Sequence, residues 1–250
     1  MLQKVILGDN IIELPKVERK SVSLIYIDPP FNTGNTQTRQ SGSYEDHFDK
    51  VNFQDYLLAR IEEARKCLTD NGSLFVHLDH HEVHYVKVDL DNIFGRNRFM
   101  NEIIWAYDYG GRSKHKWPTK HDSILWYVNN PEDYIFNYDA MDRIPYMAPS
   151  LVGEAKAERG KTLTDVWWHT IVPTMSKENN GYPTQKPLGL LNRIIKVHSN
   201  LGDTVLDFFA GSGTTGEAAI MNGRGYVLID KNPQAIAIIN KRLSKYHAIS

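Results

Sequence analysis

Apolar and polar residues along the chain form short blocks with two alternating periods, the mark of strands interleaved with helices. Apolar runs at Lys4–Leu7, Leu24–Ile27, Ser73–Leu78, Thr204–Phe208 and Gly225–Ile229 predict strands, and Glu102–Tyr107 and Ser123–Val128 predict a pair around a polar loop. Ile11, Ile12 and Leu14 begin a helical turn that Pro15 stops. Leu57, Leu58, Ile61, Ala64 and Leu68 recur at helical spacing and predict a helix over Phe53–Leu68, closed by Asn71-Gly72. Val83, Val86, Leu90 and Ile93 predict another helix, followed by Pro187–His198 and Thr215–Met221. Asn232 caps a last helix with Pro233 at its first position, running to Tyr246. The polar stretch Asn32–Lys50 predicts a loop able to serve as a lid. Asn137–Met175 has no clean period and reads as an insertion on one α/β body, with a helix candidate at Gly153–Arg159 and the pair Trp167-Trp168.

One strand ends abruptly. Leu24–Ile27 runs into Asp28-Pro29-Pro30-Phe31, where two prolines without N–H groups stop the ladder and stiffen the turn. A carboxylate, a free carbonyl and an aromatic ring are thereby fixed at the rim of a sheet. A planar heterocycle with an exocyclic amine could give its two N–H bonds to Asp28 and the Pro29 carbonyl while stacking on Phe31. An ordinary strand-to-loop turn would accommodate the same residues.

With 250 residues, 41% of them apolar, the chain suits one α/β domain with a sizeable core. No apolar run approaches the roughly 18 residues of a membrane span, and no signal segment opens the chain, so a soluble, cytoplasmic protein is expected. The single cysteine, Cys67, offers no disulfide framework and fits a core thiol. His77, Asp79, His80, His81, Glu82 and His84 are metal-ligating types, but their spacing fits the zinc patterns poorly and they read as a strand-to-helix corner. No metal is assigned. A net charge of −1 means that nucleic-acid binding would need a local basic face. The segment from Arg96 to Lys120 offers one, with Arg112, Lys114, Lys116 and Lys120 interleaved with Tyr109, His115 and Trp117, although a solvated loop would look alike.

Val205–Asp230 reads as strand, glycine loop, helix, strand and acid, a nucleotide-binding half. Gly211, Gly213 and Gly216 satisfy G-x-G-x-x-G, which alone would permit a nicotinamide dinucleotide. Asp207, just before the loop, would repel a pyrophosphate but welcome the ammonium of a methionine moiety. Only 20 residues follow Asp230, too few for a second nucleotide-binding half, and the Asp28 corner offers nothing suited to hydride chemistry.

Four motifs then fall in a telling order: Gly8-Asp9-Asn10, Asp28-Pro29-Pro30-Phe31, Tyr182-Pro183-Thr184-Gln185-Lys186-Pro187, and Asp207 to Thr215. Their combination resembles the β-group of amino-methylating DNA methyltransferases, and within it the adenine-N6 enzymes, including the modification subunits of type III restriction systems. The resemblance implies an α/β, Rossmann-like S-adenosylmethionine-dependent fold with a mixed seven-stranded sheet and permuted motif order. It makes residues 1–250 a single methyltransferase domain, with a basic hairpin near 101–128 and a short target-recognition insertion near 137–181. By motif, Asp28, Pro29, Pro30 and Phe31 would be catalytic. Asp207, Phe209, Gly211 and Gly213, with Thr214 and Thr215, would line the methionine end of the cofactor. Asp230 would take the ribose, Asp9 with Asn10 the adenine, and Thr184, Gln185 and Lys186 the methionine carboxylate.

The activity so implied is methyl transfer from S-adenosylmethionine to N6 of an adenine flipped out of DNA. Cytosine N4 is the nearest alternative, though the family's cytosine members mostly carry Ser in place of Asp28. A catalytically idle DNA-binding subunit is the alternative from another class. Arg112, Lys114, Lys116 and Lys120 would contact the DNA, and a homodimer and a restriction subunit are the further partners considered.

Overall fold

The computed structural model describes residues 1–31, 35–39, 42–46 and 50–247, with side chains for 1–31 and 53–246. In chain order the elements are β1 (Gln3–Leu7), α1 (Asn10–Glu13), β2 (Val22–Ile27), β3 (Asn35–Arg39), β4 (Gly42–Asp46), α2 (Lys50–Arg65), β5 (Leu68–Leu78) and α3 (Val83–Phe94). Then come β6 (Phe99–Ala106), β7 (His121–Val128), β8 (Arg143–Ile144), α4 (Glu154–Arg159), β9 (Lys161–Thr162) and β10 (Val166–Trp168). The chain finishes with α5 (Leu188–His198), β11 (Thr204–Asp207), α6 (Thr214–Met221), β12 (Gly225–Asp230) and α7 (Pro233–His247).

The main sheet has the order β1-β12-β11-β2-β5-β7-β6-β10. Among its described strands only β7 runs against its neighbours, which makes the sheet mixed. Strand alternation sorts the core into two layers. Ile25 and Ile27 of β2 face Phe53, Leu57 and Ile61 of α2 and Val86 and Leu90 of α3. Leu24 and Tyr26, one residue out of phase, face Leu191, Ile194 and Ile195 of α5 and Ile239 and Leu243 of α7. Covering both faces explains why β2 is buried at every position.

From β11 the chain crosses through α6 to β12 on one side, and from β2 it crosses through α2 to β5 on the other. The neighbours β11 and β2 therefore form a topological switch point, where the carboxyl ends of the strands open a crevice. Asp207 ends β11, Asp230 ends β12, and Asp28 directly follows β2. Three carboxylates thus share one rim.

Several expectations change. Eight strands form the sheet rather than seven, because Trp167-Trp168 belongs to β10, a short strand paired in parallel with β6, and not to an irregular insertion. Asn71-Gly72 does not stop a helix. The helix ends at Arg65, and these residues lie inside β5, where the pairing with β2 shifts register between Val22 and Leu24. A Cβ on Gly72 would lie 3.1 Å from the Ser23 carbonyl, so glycine permits the close approach of the two strands at that bulge. In the stretch expected to be a loop, Asn35–Arg39 and Gly42–Asp46 pair as an antiparallel hairpin, since ladder bonds need no apolar side chains. The rest of that expected lid, residues 32–34, 40–41 and 47–49, lies outside the described residues.

Candidate active site

A cavity of about 400 Å³ opens at the switch point. Its walls bring together the ends of β2, β11 and β12, the loop before α5 and the glycine loop before α6. Asp28, Pro30, Thr184, Lys186, Asp207, Phe209, Gly211, Thr214, Thr215, Asp230 and Asn10 are on those walls, so residues from all four motifs converge.

The glycine loop is shaped by backbone sterics. Gly211 and Gly213 have φ of +48° and +75°, a region that side chains disfavour. A Cβ would meet the Tyr182 ring at 3.2 Å from Gly211 and the Ile239 side chain at 2.9 Å from Gly213. Gly213 caps α6 from the left-handed region, and the helix N-terminus faces the cavity through Thr214 and Thr215.

The carboxylates are held by these same backbones. Asp207 accepts from the Phe209 amide at 3.0 Å and from the Thr215 hydroxyl at 2.6 Å. Its burial, with Asp28 and Asp230 close by, pushes its pKa up to about 7. Asp230 accepts from the amides of Gly211 and Asn232, each at 2.8 Å, and burial raises its pKa as well. Beside Asp28, Tyr26 forms part of the wall and its hydroxyl is bonded to His77 Nδ1 at 2.8 Å. His77 in turn bonds Asp122 at 3.1 Å and lies 5.9 Å from the Phe31 ring, so a buried polar chain backs the corner.

The remaining residues of the expected site lie on, beside or away from the cavity wall. Asp9 is not on the cavity wall; it caps α1 through the Ile11 amide at 3.2 Å and pairs with Arg60 at 3.0 Å. Its neighbour Asn10 reaches the cavity, donating to the Phe208 carbonyl at 2.7 Å. Gln185 braces its own loop, accepting from the Asn180 amide and donating to the Glu178 carbonyl. Lys186, expected at a methionine carboxylate, donates to Asp28 Oδ2 at 2.5 Å. Gly213, Pro29 and Phe31 border the cavity residues without being on the wall themselves.

Sequence reasoning missed Tyr26, Tyr56, Tyr182, Ser212 and Asn232 as wall residues. Signals were available for three of them: Tyr26 interrupts the apolar run two residues before Asp28, and Tyr182 and Ser212 lie inside two of the four motifs. It also missed Arg242 of α7, which donates to the Ser212 carbonyl at 3.1 Å and to the Thr214 hydroxyl at 2.9 Å while pairing with buried Glu217.

Strands β6 and β7 pair antiparallel around residues 107–120, which carry the basic loop. Its cations divide into two groups. Lys120 donates to the carbonyls of Tyr109 and Gly111, and Arg112 pairs with Asp108 at 3.1 Å. Lys114 and Lys116 are exposed, next to Trp117, which is 92% exposed. At the corner after β5, Asp79 accepts from the His81 amide and ring, and the ligand atoms of Asp79, His80 and His81 lie within 4.8 Å of one another. Cys67 is buried beside α1, and burial raises its thiol to about 11, far from a reactive thiolate. Among the described residues no helix is long and apolar enough to cross a membrane.

The chain is similar to known proteins in sequence and in fold. The chain is 31% identical over 252 residues to the DNA adenine methyltransferase YhdJ of Escherichia coli (strain K12), covering 96% of this chain and 82% of that one. It is 30% identical to the type II methyltransferase M.HpaI of Haemophilus parainfluenzae, covering 97% and 74%. Among solved structures, the M1.HpyAVI–SAM complex matches with a TM-score of 0.68 at 23% identity, over 97% of this chain and 99% of that one. The cytosine-N4-specific PvuII DNA methyltransferase matches with a TM-score of 0.73 at 16% identity, over 97% and 86%, a likeness of fold. The DNA methylase family N6_N4_Mtase matches residues 22–241, and this chain belongs to that family.

Proposed function

We propose that this protein transfers a methyl group from S-adenosylmethionine to N6 of an adenine in DNA. The observation that carries the reading is the meeting, in one cavity, of Asp28 after β2 and Asp207 at the end of β11, one suited to a target amine and the other to a cofactor ammonium. The residues present fit the cofactor. Asp207 and Asp230 supply acceptors, the N-terminus of α6 supplies donors, and the glycines leave room that a Cβ would fill. The adenine assignment draws support from intact Asp28 and from the relative named as an adenine methyltransferase.

The cofactor supplies an electrophilic methyl on a sulfonium. The protein's own task is to make a poor nucleophile competent. Asp28 and the Pro29 carbonyl accept the two amine hydrogens, which draws the nitrogen out of conjugation with the ring, and Phe31 gives the base a stacking face. Asp28 is also the acceptor at hand for the proton that the nitrogen sheds. Holding both reactants across the switch point provides most of the acceleration, since effective molarities of well-oriented partners are very large.

The exposed Lys114 and Lys116 meet phosphates, and the insertion between β7 and α5 takes part in target recognition. Relatives named as type II methyltransferases support work alongside a restriction partner, and mass measurement in solution tests for a homodimer. The deciding experiment incubates plasmid DNA with labelled S-adenosylmethionine and identifies the modified nucleoside. Label in N6-methyladenine supports the proposal; label in N4-methylcytosine replaces its substrate; none in DNA refutes it. Sequencing the product maps the site.

A further inference from the structure

Lys186 stands where a guest should. Its ammonium donates to Asp28 Oδ2 at 2.5 Å and lies 5.1 Å from the centroid of the Phe31 ring. Those are the two groups assigned to the target base, one to its amine and one to its ring face. The other carboxylate oxygen, Asp28 Oδ1, is sealed from solvent and has no hydrogen-bond partner among the described residues. One oxygen is therefore taken and the other is closed off. A base amine approaching Oδ2 across the Phe31 face would meet the Lys186 ammonium there.

Leaving is costly without a destination. The Lys186 side chain is only 9% exposed, and its one other acceptor among the described residues is the Thr184 carbonyl at 3.5 Å. A buried ammonium without an anion carries a large desolvation penalty. The other two carboxylates of the cavity, Asp207 bonded by Thr215 and the Phe209 amide and Asp230 bonded by the amides of Gly211 and Asn232, are the groups assigned to the cofactor's own ammonium and ribose. The anion that a methionine-bearing cofactor brings into this cavity is its α-carboxylate. Lys186 follows Thr184, which holds a φ of +56°, unusual for a β-branched residue, at the bend delivering the lysine to the cavity.

We infer that Lys186 is a positioning residue that occupies the amine's seat in the cofactor-free protein and releases Asp28 when a cofactor carboxylate draws it away. Base entry is thereby coupled to cofactor binding. The inference rests on the assignment of Asp28 and Phe31 to the target base. It goes further in making one side chain serve both sites in turn, by a competition between two carboxylates for one ammonium.

The test uses the full chain and a duplex with 2-aminopurine at the mapped target position, so that base extrusion is read as fluorescence without turnover. Three conditions are compared at saturation: no nucleoside, S-adenosylhomocysteine, and 5′-methylthioadenosine, which lacks the carboxylate. The wild-type protein should show strong enhancement only with S-adenosylhomocysteine, roughly tenfold above the other two in extruded population. Lys186→Met should show the enhancement in all three. Equal enhancement of the wild-type protein with 5′-methylthioadenosine overturns the inference, even if the variant fails to fold. So does a folded Lys186→Met that still needs the carboxylate. If DNA methylation is intact and this coupling is absent, only the role of Lys186 falls; if no methyl reaches DNA, the functional reading itself falls.

Discussion

The hydroxyl of Thr215 donates to Oδ2 of Asp207 at 2.6 Å, tying the first turn of α6 to the end of β11. That bond holds a fully buried carboxylate at the cavity wall, where a cofactor ammonium would neutralise it. Until then the carboxylate is strained by its surroundings: burial, and then Asp28 and Asp230, raise its pKa to about 7 against the opposing bonds from Thr215 and Phe209.

A carboxyl raised in the folded state keeps a proton that the unfolded chain has already lost, so it lowers stability as the pH climbs from about 4 to about 7, and the loss levels off above. Asp207→Asn removes this burden. By calorimetry the cofactor-free variant should melt a few degrees above the wild-type protein near pH 8, with little difference near pH 4. Binding of S-adenosylhomocysteine to the wild-type protein should release close to ~1 proton near pH 6 and almost none near pH 8.5. Equal melting offsets at both ends, or no proton release, would show that Asp207 is ionised throughout.

Arg242 reaches the glycine loop from α7, bonding Ser212 and Thr214 while paired with Glu217. Removing one partner of a buried pair costs about 3–5 kcal/mol. Arg242→Met should therefore destabilise the protein by about 3 kcal/mol and weaken S-adenosylhomocysteine binding at least ~10-fold, because the loop loses its brace. Calorimetric titration well below the melting temperature checks this, and unaltered affinity would make Arg242 a fold residue alone.

The sequence discloses these features unevenly. The ends of β2 and β12 are legible, because each apolar run stops at an acid and a strand buried on both faces has little other pattern to offer, whereas β11 ends at Asp207, one residue before the expected Phe208, because the apolar run continues past the acid. The glycine loop and the cap at Asn232 are legible for similar local reasons, and Asn232 Oδ1 accepts from the Gln234 amide at 2.9 Å as a cap should. Asn71-Gly72 misleads, because a glycine that admits a neighbouring strand looks the same as one that ends a helix. Strand β10 spans too few residues for any period to show. Arg242 and Lys186 are hidden for a deeper reason: each acts on residues distant in sequence, Lys186 on Asp28 across 158 positions, and only the order of strands brings them together.

The two classes of cation in the hairpin loop separate structure from contact. Lys114 and Lys116 are free to meet phosphates, whereas Lys120 and Arg112 are engaged by the loop itself. Each phosphate contact contributes about 0.9 to the slope of log affinity against log salt, so Lys114→Ala with Lys116→Ala should lower the slope by roughly 1.8. Lys120→Ala should instead loosen the loop and change DNA affinity with a smaller change of slope. Fluorescence anisotropy over a salt series checks both, and an unaltered slope in the double variant would remove the loop from the interface.

Asp28 is assigned the activation of the target amine and no part in holding the cofactor. Single-turnover methylation by Asp28→Ala, measured alongside calorimetric binding of S-adenosylhomocysteine, tests it most directly. Asp28→Ala should lose transfer on the order of a hundredfold to a thousandfold while binding the cofactor at least as tightly as the wild-type protein, because Lys186 loses the carboxylate that competes for it. Near-normal turnover in a folded Asp28→Ala protein would contradict it.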